Sequence, residues 1–179
     1  MSARIRNGDV VLVDRNAQGP IAVSIRLGSM LRYGVASPHT RYSHAAIVYY
    51  ASALDAVRIV EATAASGVQI ALLPKYDDSH SDVVATHVDE HHWPDVKRYL
   101  DDVLEARTSY DFVTYIGLTM YSLTGTKLCI QRAGSAICSG LVCDALTRAG
   151  IVWPRPPFAC TPADISATLQ GGRASWTPA

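Results

Sequence analysis

Short apolar stretches punctuate the first half of the chain, and each has the length of a strand. Residues 10–13, Val-Val-Leu-Val, follow Gly8 and Asp9 and read as a buried strand. Residues 44–50 and 57–62 are both rich in strand formers, and the short connection between them predicts a hairpin. Residues 68–73 predict a further strand and 83–88 a fourth in this run, with a polar loop over 76–82. Two helices interrupt or follow this series. Gly19-Pro20 opens the first, carried by Ile21, Ile25, Leu27, Met30 and Leu31 and closed by Gly34, after which 37–40 reads as loop. Pro94 starts the second, whose apolar positions Val96, Tyr99, Leu100, Val103 and Leu104 keep the 3.6-residue period.

The second half changes character. Residues 111–123 predict a more buried helix with Ser109 as its cap, and 125–134 an irregular stretch. Over 137–149 the residues Leu141, Val142, Ala145, Leu146 and Ala149 define one apolar helix face, and Gly150 ends it. From about residue 152 the tail carries Pro154, Pro156, Pro157 and Pro162. It is expected to run extended over the surface, with one more helical turn over 164–169. Strands gathered early and helices late predict an α+β fold.

Composition narrows the functions without choosing one. With 179 residues, 49% of them hydrophobic, the chain fits a single domain spanning 1–179 with a real core. Lys and Arg number 16, as do Asp and Glu, and no basic run exceeds two residues. That argues against a nucleic-acid partner and against a polybasic membrane anchor. No apolar run approaches the roughly 20 residues that span a bilayer, so no transmembrane segment is expected. The first residues show no apolar leader. They predict a cytoplasmic protein, or a secreted or periplasmic one if a leader precedes them. The sequence does not decide the oligomeric state.

Four cysteines are present, Cys129, Cys138, Cys143 and Cys160, and their spacing fits neither a disulfide framework nor a zinc pattern. No metal and no cofactor are therefore expected. Cys138 differs from the others by position. It begins the 137–149 helix after the turn-prone Ala133-Gly134-Ser135-Ala136, where unpaired amides and the helix dipole favour a thiolate. The same amides can stabilise an oxyanion during acyl transfer. Cys143 lies roughly 140° around the helix from Cys138 and reads as core. The plain alternative for any free cysteine is a small buried hydrophobe.

His44 begins an apolar strand, where packing gives no reason to prefer histidine. If residues 51–54 form the hairpin loop, Glu61 falls directly across from His44, with the two side chains on one face about 5 Å apart. A carboxylate there fixes the imidazole's tautomer and orientation. A one-residue slip would instead put them on opposite faces, leaving Glu61 a strand-end charge. His80, His87, His91 and His92 lie in a polar stretch and read as solvated. His39 lies in the loop before His44 as a cleft candidate.

Taken in order, several short motifs resemble one family. They are Asn7-Gly8-Asp9-Val10-Val11, Tyr42-Ser43-His44-Ala45-Ala46-Ile47-Val48, Val60-Glu61-Ala62, Ser109-Tyr110-Asp111 and Ile137-Cys138-Ser139-Gly140-Leu141-Val142. Together, across about residues 8–165, they are similar to the circularly permuted NlpC-like cysteine peptidases and amidases, especially the YiiX/YebB-like branch. The resemblance implies a papain-like core in which the histidine strand precedes the cysteine helix. It implies Cys138 as nucleophile, His44 as base and Glu61 as the third member. Asp9 and Tyr110 fall at structural or cleft-lining positions, and Ser43 and Ser139 flank the reactive pair. The implied substrate is a peptide or small acyl-amide, cell-wall peptide among the candidates, cut through a thioester. Two departures are Ile137, where an aromatic is common, and Gly140, where a glutamate is common. An acyl-lipid hydrolase or acyltransferase and a non-catalytic binding module are the competing readings.

Overall fold

A computed structural model describes residues 5–14, 20–51, 56–76, 81–86, 88–110 and 135–171. The architecture is α+β. Strands β1 (Val10–Val13), β2 (His44–Tyr50), β3 (Arg58–Thr63), β4 (Gly67–Leu72) and β5 (Ser81–Val84) form one open antiparallel sheet in the order β4-β3-β2-β1-β5. β1 sits between β2 and β5, and all four of its residues are buried, which explains a run that is apolar without alternation. Helices α1 (Pro20–Tyr33), α2 (Trp93–Glu105), α3 (Cys138–Thr147) and α4 (Pro162–Leu169) accompany the sheet. No helix among the described residues is long and apolar enough to cross a membrane.

Alternation along the strands separates two apolar clusters. Leu12, Ala45, Ile47, Val60 and Ala62 pack with Leu100 of α2 and Leu141, Val142 and Leu146 of α3. Val11, Val13, Ala46, Val48 and Ile59 pack with Tyr76. α3 is buried along nearly its whole length, as expected of a helix between a sheet and a covering segment.

Several expectations need correction. Ile47 pairs with Val60 and Val48 with Ile59, so extending that register sets Glu61 across from Ala46 and not His44. The shift is two residues, and a two-residue shift keeps every side chain on its face. A bulge between Val48 and Tyr50 absorbs the extra residue before the turn. The strand expected at 83–88 is β5, begins two residues earlier and stops at Val84, because Thr86 turns to Gly8 and Asp9. Residues 38–41 form a 3-10 turn capped by Ser37 instead of a plain loop. Ser109, expected as a helix cap, lies in a strand, and the helix it would cap is outside the described residues. With Tyr110 it forms β6 (Ser109–Tyr110), paired in parallel with β7 (Ser135–Ala136). The helix expected over 111–123 and the irregular stretch up to 134, including Cys129, lie outside the described residues, as do His80 and His87.

The C-terminal segment differs most. Trp153, Cys160, Ala163 and Ile165 are buried, so the tail enters the core and does not skirt the surface. The prolines stiffen it: Pro157–Ala159 is a 3-10 turn, and Pro162 opens the two-turn α4. Thr161 and Asp164 form a reciprocal capping box there, an N-terminal signal readable as Thr-x-x-Asp.

Gly67 starts β4 with φ +66, and a Cβ built there would stand 2.5 Å from the Thr108 carbonyl oxygen. Both the left-handed backbone and that approach demand glycine. Gly67→Ala is expected to destabilise the protein by about 1–3 kcal/mol, read as a lower urea midpoint at unchanged slope. An unchanged midpoint would show that β4 and Thr108 can separate freely.

Candidate active site

Glu61 is charged in type yet wholly buried, and its surroundings explain how that is tolerated. Its Oε1 accepts hydrogen bonds from Gln69 Nε2 at 3.0 Å and Lys75 Nζ at 2.5 Å. Its Oε2 faces His44 Nε2 at 3.0 Å and accepts from the Tyr76 hydroxyl. Gln69 reaches it because Glu61 and Gln69 are direct partners in the β3–β4 register. Lys75 and Tyr76 reach it from the 3-10 turn Leu73–Lys75, which folds back after β4. Burial alone would raise the Glu61 carboxyl, but the bonds from His44, Lys75 and Tyr76 outweigh it. The group is held well below the usual carboxylate range.

His44 opens β2 at the sheet's end and is only 17% exposed at its side chain. Although Glu61 is not directly across, the two share a face, and the diagonal distance lies within reach of both side chains. The Cys138 sulfur lies beside the imidazole and shifts its titration. Burial disfavours the imidazolium. The neighbouring sulfur and Glu61 favour it more, and together they raise His44 to about 9.

Cys138 is the first residue of α3, with Ile137 in extended conformation before it. Burial pushes its thiol up, while the His44 charge and hydrogen bond, then the amides of Ala45 and Ser139, pull it down, and the net direction is down. The Ala45 amide is available for a structural reason. In the β1–β2 register Ala45 belongs to the set whose backbone groups point away from β1, and the paired register with β3 begins only at Ile47. The first residues of β2 are therefore splayed from β3, and the N-terminus of α3 inserts its thiol beside them. Helix dipole, two amides and an imidazole thus converge on one sulfur.

The other residues named from sequence have these places. Ser43 is buried and donates its amide to the Val13 carbonyl. Ser139 is buried, and its hydroxyl donates to the Cys160 carbonyl at 2.6 Å, tying the first turn of α3 to the C-terminal segment. His39 Nδ1 meets Ser166 Oγ at 2.9 Å, with its ring edge-on to Tyr33. Tyr110 pairs with Ala136 in the small parallel ladder and packs near Ile25, Ile137 and Phe158. Asp9 is a loop clamp. Its carboxylate accepts from the Arg6 amide at 2.8 Å and the Thr86 amide at 3.2 Å.

Gly140 also has a packing reason. A Cβ there would meet Ile137 Cγ1 at 3.1 Å and the Phe158 Cα at 3.5 Å, so a longer side chain would push apart α3 and the segment that crosses it. Cys143 and Cys160 are both fully buried, and burial raises the Cys143 thiol. Among the described residues no group of three or more His, Cys, Asp or Glu side chains is placed to hold a metal ion. The residues that sequence reasoning missed are Gln69, Lys75 and Tyr76, together with the Ala45 amide. Of these, Gln69 alone carried a signal, because a tight turn over 64–66 sets it across from Glu61. No protein-family model matches the chain, and no curated protein does.

Proposed function

We propose that this chain is a single-domain cysteine hydrolase of papain-like, permuted NlpC-type architecture that cleaves a peptide or small acyl-amide bond. The supporting observation is that Glu61 is bonded to His44 and His44 lies beside Cys138, at the N-terminus of α3. In this mechanism the Cys138 thiolate attacks the carbonyl carbon, and α3's first amides hold the oxyanion. The C–N bond breaks as His44 gives its proton to the departing amine, leaving a thioester. Water then attacks the thioester, passes a proton to His44, and releases the acid and the thiolate.

The deciding experiment is site-resolved iodoacetamide labelling of the folded protein between pH 4 and 9. Cys138 is expected to label alone and fast, with its reactivity persisting below pH 7, because the sulfur is held as thiolate. Hydrolysis is expected to fall as pH rises through about 9, where His44 loses the proton that the leaving amine needs. Labelling itself continues there, since it needs only the thiolate. Equal, slow labelling of Cys138 and the buried Cys143 would favour the non-catalytic binding module.

A lipid acyl substrate on the same nucleophile is favoured by one observation. Val23, Leu27 and Leu31 recur every four residues along α1 and stay 54%, 47% and 62% exposed, with Val35 beyond them at 78%. Ile25 of the same helix packs against Ile137, the residue before the nucleophile. Turnover of a vesicle-borne acyl ester, with none of short peptides, would select that reading.

A further inference from the structure

Four donors on one buried carboxylate are more than a triad needs. We infer that Lys75 and Tyr76 are positioning residues for the Cys138–His44 pair, acting through Glu61 by fixing which oxygen faces the imidazole and keeping the carboxylate charged without water. The inference rests on the cysteine-hydrolase reading and concerns how that same site is tuned.

A carboxylate offers about four acceptor sites, and all four are occupied here. The donors are divided by oxygen: Gln69 and Lys75 on Oε1, Tyr76 and His44 on Oε2. Rotating the carboxylate would break every one of these bonds at once, so its plane is set from the side away from the histidine. Tyr76 has a second effect. The residue is 6% exposed, and its ring lies 5.8 Å from the His44 ring, restricting the imidazole directly. Both side chains come from one short turn, closed by Leu73 donating to the Val57 carbonyl at 2.8 Å and Tyr76 donating to the Leu73 carbonyl at 2.9 Å. The turn thus moves with β3, the strand that carries Glu61.

The titratable groups facing Glu61 are His44 from β2 and Lys75 and Tyr76 from the turn, with neutral Gln69 from β4. Those facing His44 are Cys138, Glu61 and Tyr76. With fewer donors the Glu61 carboxylate can turn its Oε2 away from the imidazole. A displaced carboxylate favours the imidazolium less, so His44 loses its proton at lower pH. Cys138 then loses its cationic neighbour and ionises at higher pH.

The test uses the full chain with Lys75→Met, Tyr76→Phe, the double variant and Lys75→Arg. Three readouts are taken: the pH dependence of Cys138 alkylation, the His44 titration by NMR, and thermal unfolding. The expected result is an acid limb of alkylation moved upward by about 1 pH unit or more in each single variant, further in the double. The His44 titration moves down, and Lys75→Arg restores most of both. A purely structural role would lower the unfolding temperature and leave both titrations in place, which overturns the inference. Should the double variant not fold, Tyr76→Phe alone decides, since it removes a single oxygen. If wild-type Cys138 shows no activated thiolate, the hydrolase reading fails first. An activated wild type whose variants titrate identically defeats the inference alone.

Discussion

His44→Ala is expected to slow alkylation of Cys138 at pH 6 by roughly 100-fold, the drop from a mostly ionised thiol to one near its ordinary acidity. Amide hydrolysis is expected to fall further, by about 10²–10⁴-fold, because the proton donor to the leaving amine is gone as well. The geometry gives the reason for both losses. The imidazole is the only titratable side chain shown against the sulfur among the described residues, and the remaining pull on the thiol comes from the Ala45 and Ser139 amides. Those amides offset part of the burial that raises the thiol, so the variant is expected to keep a small residual reactivity. The substitution also strips Glu61 of one donor, while Gln69, Lys75 and Tyr76 continue to hold it. A folded variant with reduced thiolate is the outcome, checked by alkylation kinetics beside an unfolding curve. Alkylation at the wild-type rate would mean that the helix terminus alone activates Cys138.

The largest loss of stability is expected from Asp164→Ala, about 3–5 kcal/mol. Asp164 is completely buried at the start of α4. Its Oδ2 accepts from the Thr161 amide and the Thr161 hydroxyl, both at 2.8 Å, and lies 3.8 Å from Arg155 Nε. Its Oδ1 accepts from the Tyr33 hydroxyl at 2.5 Å and pairs with Arg32 Nε at 3.2 Å. One carboxylate therefore caps α4, ties it to the end of α1 and neutralises a guanidinium that is only 11% exposed. Alanine removes all of these at once and leaves the buried Thr161 donors and the Arg155 guanidinium without the carboxylate. Asp164→Asn keeps the volume and one acceptor, so its loss is expected to be smaller. Urea denaturation of both variants provides the check, and equal midpoints for alanine and wild type would refute the account. The effect reaches the Cys138 end of α3 as well, because Cys160, whose carbonyl holds Ser139, immediately precedes the cap.

Much of the sheet was legible because apolar runs of strand length leave few alternatives, and the helix carrying Cys138 because its amphipathic face and terminal Gly150 agree. Glu61 could be placed on the His44 face, since side-chain parity survives a two-residue error in register. The register itself was not legible: the bulge near Tyr50 has no sequence mark among residues that are all good strand formers. Lys75 and Tyr76 were hidden for a different reason. They follow β4 in a turn whose composition reads as loop, and only the fold-back of that turn brings them to Glu61. The depth of the tail is not legible from its prolines, which signal the absence of regular structure and carry no information about burial. Trp153, Cys160 and Ile165 were the better guide.

Counted as ions, Cys138, His44, Glu61 and Lys75 alternate in sign and sum to zero, on a chain whose formal net charge is also zero. Alternating charges packed within a few ångströms cancel at distance and cast little field beyond the protein surface. In the proposed hydrolase, substrates would therefore gain little from long-range attraction, and the encounter rate is expected to respond weakly to ionic strength. In that reading, selectivity falls to the shape of the surroundings of the buried sulfur.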